Sequence, residues 1–264
     1  MITLKTPEEI SILRKGGAIL AAALFEVQKA VKPGVRISEL DRIAQEYIEN
    51  HGGSCPLVGY GASRGVSGFP ATMCISINDE VVHGIGTRDI VLKEGDIVGL
   101  DIDIQYPAKN GLYTDMAVTV GVGTISKEAQ KLIDVTREAR DRAIALVRPG
   151  AYVHDISKEV QGYCEGKGYS LIRDLTGHGV GYAVHEDPAI PNFYDSRMPV
   201  VKLKEGMVIC IEPMVAMGDW HVTTDHDEWT IRMADHSLAA HFEHTIAVTK
   251  DGYEVLTLGV DDLR

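Results

Sequence analysis

The sequence predicts an α+β protein made of two related halves, each with paired helices followed by antiparallel strands. Three observations carry that prediction. "KPGVRISELDRIAQEYIENHG" (32–52) aligns without a gap on "RPGAYVHDISKEVQGYCEGKG" (148–168) at a constant offset of 116, matching Pro33 to Pro149, Gly34 to Gly150, Tyr47 to Tyr163 and Gly52 to Gly168. Two generic helix starts would not share the downstream tyrosine, glutamate and glycine. "LKEGDIVGLDIDI" (92–104) resembles "LKEGMVICIEPMV" (203–215) at an offset of 111. "GLDIDIQYPAKNGLYTDMAV" (99–118) alternates with the period of two strands joined by a turn. One pseudo-symmetric domain spanning 1–264 is expected, with halves of about 1–123 and 124–264.

The elements follow in order. Thr6, Pro7 and Glu9 supply an N-cap, a first-turn proline and a capping-box glutamate. Ile10, Leu13, Ala18, Leu20, Leu24 and Val27 then recur at helical spacing until Pro33-Gly34 stops the run. A second helix is expected from about Ser38 to Asn50, and the Gly-, Ser- and Pro-rich stretch 52–72 reads as a loop. In the second half a helical pattern runs from about Lys127 to Val147 and a shorter one follows Gly150.

Composition narrows the partners. The 264 residues are 45% hydrophobic and 24% charged, enough for a sizeable core. A formal net charge of −12 without basic blocks argues against nucleic acid and anionic membrane surfaces. No apolar run approaches the ~18 residues of a membrane span, and the start lacks a signal-peptide pattern. Cys55, Cys74, Cys164 and Cys210 are scattered and read as reduced thiols, which points to the cytoplasm.

Taken alone, the hairpin's Asp101, Asp103 and Asp115 would face water opposite the apolar Val98, Leu100, Ile102 and Ile104. The repeat changes that reading. It sets Asp101 opposite Glu212 and Asp115 opposite Glu243, whereas Asp103 falls opposite Met214. Four carboxylates converging across a pseudo-two-fold axis repel one another unless cations sit among them. Two divalent ions completed by a neutral imidazole balance that charge. "TGHGVGYAVHEDP" (176–188) offers His178 between glycines and His185 seven residues later, and His83 precedes another glycine.

At this point the chain resembles the type I methionine aminopeptidases of the pita-bread metallopeptidase fold. The similarity runs through "TPEEI", "CISINDEVVHGI", "LKEGDIVGLDID", "GHGVG…HEDP", "IEPM" and "FEHTIAVT". The resemblance implies a dinuclear aminopeptidase that removes the initiator methionine from nascent chains with a small second residue. Asp101 would chelate one ion, His178 and Glu212 the other, and Asp115 and Glu243 would bridge them. The ions would be cobalt, manganese, iron or zinc. It further implies that Glu212 shuttles a proton, that His185 steadies the developing oxyanion, and that His83 contacts the substrate. Phe69, Cys74 and Trp229 would line the methionine pocket. The implied partners are N-terminal Met peptides and nascent chains, with a transient ribosome contact and a monomeric state.

Four features depart from the family pattern. The turn between Asp101 and Asp115 is longer, with Pro107, Asn110 and Gly111 to accommodate it. Asp103 stands where threonine is common, and His241 where glutamine is usual. "SRGVSG" (63–68) lacks a rim histidine. His221 and His226 lie in a polar loop and are expected to face solvent. The alternatives are a proline-directed aminopeptidase of the same fold and a non-catalytic binding protein. Against them stand the missing extra N-terminal domain and the intact Asp, Asp, His, Glu, Glu set.

Overall fold

A computed structural model describes residues 1–63 and 67–259. The loop whose rim histidine is missing therefore lies partly outside the described residues. The first half contains α1 (Pro7–Ala30), α2 (Ile37–Asn50), β1 (Met73–Ile77), β2 (Glu80–Val82), β3 (Ile97–Tyr106) and β4 (Leu112–Gly121). The second opens with α3 (Lys127–Ile144), α4 (Val153–Gly166), β5 (Ser170–Leu171), β6 (Thr176–Gly179), β7 (Glu186–Pro191) and β8 (Val208–Ile211). It closes with β9 (Met214–Ala216), β10 (Val222–Thr224), β11 (Ile231–Met233), β12 (Ala239–His241), β13 (Glu243–Val248) and β14 (Tyr253–Val255).

The Thr6 capping box forms as expected. The Glu9 N–H donates to Thr6 Oγ1 at 3.2 Å, and the Thr6 N–H donates to Glu9 Oε2 at 2.8 Å. The buried face of α1 differs from the expected one at one turn. Ala18 is exposed, and Gly16 and Gly17 are buried instead. A Cβ on Gly17 would lie 2.2 Å from the Leu256 carbonyl oxygen, so the absent side chain lets the C-terminal segment pack directly on the helix. Gly17→Ala is therefore expected to lower stability by about 1–3 kcal/mol, read as a lower urea midpoint. At an exposed helix position the same change would stabilise by roughly 0.5–1 kcal/mol, so the sign of the shift decides.

The repeat is reproduced at its Pro-Gly turns, although β3 runs unbroken through Asp101 while the matching stretch breaks at Glu212 between β8 and β9. The Gly34 N–H donates to the Leu92 carbonyl at 2.8 Å, and the Gly150 N–H donates to that of Leu203 at 2.9 Å. Bridges Arg36↔Val91 and Tyr152↔Lys202 also correspond. Gly34 and Gly150 both have φ of +90°, a conformation in which a Cβ is strained, which explains why both turns carry glycine.

The main sheet runs β1-β3-β4-β13-β8-β6-β7, with β14 on β13. β4 and β13 join the halves through only two register pairs, Glu243↔Ala117 and His244↔Met116. The Thr245 side chain extends that junction, accepting from the Asp115 N–H at 2.9 Å and donating to the Asp115 carbonyl at 2.8 Å. Leu100, Ile102, Ile104, Met116 and Val118 face the helices in one continuous core. Pleating sends the alternate residues of β3 and β4, among them Asp101, Asp103 and Asp115, to the opposite face. That face does not open freely to water: Asp103 and Asp115 are buried and Asp101 is half-buried.

Candidate active site

The carboxylates gather because three strands present them in adjacent rows. Asp101 on β3 and Glu243 on β13 both pair with Ala117 of β4, and Asp103 lies directly across from Asp115. Glu212 follows β8, and its backbone carbonyl accepts from buried Asn192 Nδ2 at 2.9 Å. His178 arrives on β6, where flanking glycines permit close approach: a Cβ on Gly179 would strike the Asp187 carbonyl oxygen at 2.2 Å. Its Nδ1 donates to the Gly179 carbonyl at 2.9 Å. That leaves Nε2 as the lone-pair nitrogen, 3.4 Å from Glu212 Oε1 and 3.7 Å from Asp115 Oδ2.

A cavity of about 120 Å³ opens onto these groups. Five carboxylates line it (Asp101, Asp103, Asp115, Glu212 and Glu243) with four imidazoles (His83, His178, His185 and His241). Neither lysine nor arginine is among the described residues of its wall. Burial lifts Asp103, Asp115, Glu212 and Glu243 well above the ordinary carboxylate range, and their mutual repulsion adds to the rise in Asp103, Asp115 and Glu243. Asp101 is raised to about 6, chiefly by desolvation. Desolvation likewise lowers His178 to about 3 and His83 to about 4, so both imidazoles are neutral at pH 7.

The donor set fits divalent cations. Asp103 Oδ1, Asp115 Oδ1, Glu243 Oε1 and His241 Nε2 are buried with no hydrogen-bond partner among the described residues. Orphaned polar atoms at this density are costly unless something cationic satisfies them. Ligand atoms of Asp115, His178, Cys210 and Glu243 all lie within 4.8 Å of one another. The position of Cys210 was not evident from its scattered spacing. The signal was its place two residues before Glu212, which puts both side chains on one strand face.

His185 stands at the exposed mouth, its ring 4.4 Å from that of His178. Its Nδ1 shares a 2.6 Å hydrogen bond with the Tyr60 hydroxyl. Tyr60 lies in the stretch read only as a loop, and nothing in its sequence context marks it. His83 is half-buried with φ of +59°, an unusual conformation for a non-glycine residue. Cys74 and Leu57 line the cavity, and both belong to a small apolar cluster with Phe69 and Trp229. Phe69 and Trp229 pack edge to face at 5.3 Å. Asp103 and His241 are drawn into the cavity wall with the rest. His221 and His226 are exposed.

A buried pocket of carboxylates and neutral imidazoles on a curled antiparallel sheet defines a class, the metal-dependent hydrolases. Known proteins place the chain within that class. The model of metallopeptidase family M24 matches residues 11–250. The methionine aminopeptidase of Clostridium perfringens is 45% identical over 98% of this chain and 99% of its own length. The crystal structure of methionine aminopeptidase from Thermotoga maritima superposes with a TM-score of 0.91 at 41% identity, covering 97% of this chain and 99% of that one. Prolidase from Pyrococcus furiosus shares the fold alone, with a TM-score of 0.76 at 24% identity and 65% of its length covered. The chain belongs to metallopeptidase family M24 and has its pita-bread fold.

Proposed function

We propose that this chain is an aminopeptidase that removes an N-terminal methionine when the second residue is small. The observation that carries the reading is the pocket in which buried carboxylates converge on neutral imidazoles, with no cationic side chain among the described residues of its wall. Asp101, Asp115, His178, Glu212 and Glu243 would hold two divalent ions, with cobalt, manganese, iron and zinc as the candidates. Ions so held supply Lewis-acid polarisation of the scissile carbonyl and a water nucleophile of lowered pKa.

The remaining roles fall to the chain. Glu212 takes the proton of the attacking water and delivers it to the leaving amine. His185 donates to the developing oxyanion from Nε2 when its Nδ1 accepts from Tyr60. His83 positions the scissile nitrogen from its unusual backbone conformation. The free α-amine of a chain end, which an internal peptide lacks, would bind at the metal pair and so restrict cleavage to chain ends. A cavity of about 120 Å³ is small beside the ~300–1,000 Å³ of drug-sized ligand pockets, and admits one side chain and a terminus. The unbranched thioether of methionine adapts to the apolar wall of Leu57 and Cys74, with Phe69 and Trp229 in the same cluster.

We further place the protein in the cytoplasm as a single-domain monomer acting on nascent chains, with transient ribosome contact. In support of that location, all four cysteines are free.

The test is a panel of X-Ala-Ser peptides with X as Met, norleucine, Leu, Ala or Lys, beside Met-Leu-Ser and Ala-Pro-Ser. Met-Ala-Ser is expected to lead and norleucine to be cleaved measurably, because one methylene is worth only about 1–3 kcal/mol in such a pocket. A preference for Ala-Pro-Ser would replace this reading with the proline-directed one. Tyr60→Phe is expected to lower kcat by roughly 10-fold with little change in KM, since a group that assists only the developing charge acts on turnover. An unchanged kcat would remove Tyr60 from the mechanism.

A further inference from the structure

Glu212 is flanked by two imidazoles in the same way. His178 Nε2 lies 3.4 Å from its Oε1, and His241 Nε2 lies 3.4 Å from its Oε2. His178 belongs to the ligand set proposed above, and no role there falls to His241. Yet His241 is only 3% exposed, lines the cavity, and leaves Nε2 without a hydrogen-bond partner among the described residues. Its backbone is clamped on both sides by one side chain: its N–H donates to Thr119 Oγ1 at 2.9 Å, and its carbonyl accepts from the same hydroxyl at 2.9 Å. A buried imidazole held rigidly with a free nitrogen facing a carboxylate is expensive, unless that nitrogen binds something.

We propose that His241 is a second imidazole ligand of the metal pair, acting through Nε2. Glu212 turns one carboxylate oxygen toward each imidazole. The spacing suits this: ligand atoms bound at about 2.0–2.2 Å to one ion stand about 3.0–3.4 Å apart at octahedral to tetrahedral angles. The alternative, a hydrogen bond that merely orients Glu212, is disfavoured because the approach fails hydrogen-bond geometry and Nε2 remains unpaired. One imidazole per ion would shift the preference of the second ion toward zinc, cobalt and iron, and away from manganese, which oxygen ligands suit.

The inference rests on the dinuclear reading above, and the experiment separates the two. The full chain is stripped of metal and titrated calorimetrically with zinc and with manganese, alongside His241→Gln and His178→Gln. Glutamine keeps a hydrogen-bond donor near Glu212 and is a poor ligand. His241→Gln is expected to weaken the second zinc equivalent by more than ~10-fold and manganese by much less. If His241→Gln binds both zinc equivalents like the parent while His178→Gln loses one, His241 is no ligand and the proposal falls alone. If neither change affects zinc, the metal-site reading itself fails. X-ray absorption of the unsubstituted protein loaded with two zinc equivalents needs no variant to fold. One imidazole per zinc on average is expected, and half that number would overturn the proposal.

Discussion

Chelation is expected to abolish peptide hydrolysis, and a divalent cobalt, manganese, iron or zinc salt to restore it. Five carboxylates share a pocket in which no lysine or arginine is found among the described wall residues, and several of their oxygens have no partner. Without cations the folded chain resists ionising these groups, Asp103, Asp115, Glu212 and Glu243 more strongly than Asp101, because burial and mutual repulsion oppose gathering their charges in a desolvated pocket. The pH dependence of the stripped protein follows from the sign of that shift. Asp101 rises from the ordinary 3.8 to about 6, so it binds its proton more tightly folded than unfolded. The stability it contributes is present in full below pH 3.8 and is lost as pH rises through about 6, with the other carboxylates extending the loss to higher pH. Calorimetry should show the stripped protein's melting point falling over that window and metal restoring it most strongly near neutrality. Full activity in a chelator, with elemental analysis confirming metal-free protein, would sink the metal-dependent mechanism.

Asp101→Asn is expected to cost more than ~100-fold in metal affinity and turnover, whereas Asp103→Asn should cost ~10–100-fold, the usual range for a group that orients ligands. The two residues are neighbours on one face of β3, so position along the strand cannot separate them. Sheet register can. Asp101 shares a row with Glu243 through Ala117 and is electrostatically coupled to Glu212 and His241. Asp103 stands opposite Asp115, outside that row. Titration of both variants with one metal, with circular dichroism as a folding control, gives the comparison. Greater damage from Asp103→Asn would reverse the assignment and discredit the repeat as a guide to the ligands.

Much of the architecture is written in local patterns. The capping box of α1, the paired Pro-Gly turns and the 116- and 111-residue offsets each report backbone geometry that depends on near neighbours. Matching hydrogen bonds at Gly34 and Gly150 are the physical form of that repeat. Asp101, Asp115, Glu212 and Glu243 could be singled out from sequence because a duplicated half leaves its carboxylates in register with one another; His178 is marked by its place between glycines, and the ligand roles of all five rest on the family resemblance.

Other features depend on which strands meet. Period-two alternation shows that Asp103 opposes Ile102 and Ile104, but not whether its face is wet; in the fold Asp103 is buried in a cavity wall shared with Leu57, Cys74, His83 and His241. The bond between Tyr60 and His185 joins residues 125 apart, and the flanking of Glu212 by His178 and His241 requires β6, β8 and β12 to converge. Gly17, not the expected Ala18, is buried, because a strand-end carbonyl remote in sequence approaches the helix too closely for a side chain there. Sequence alone pointed to the helices, the hairpin, the duplication and four of the five carboxylates that line the cavity, setting Asp103 apart. Tertiary structure decided which polar atoms are left without partners, since burial and convergence arise from long-range sheet pairing that no local periodicity encodes.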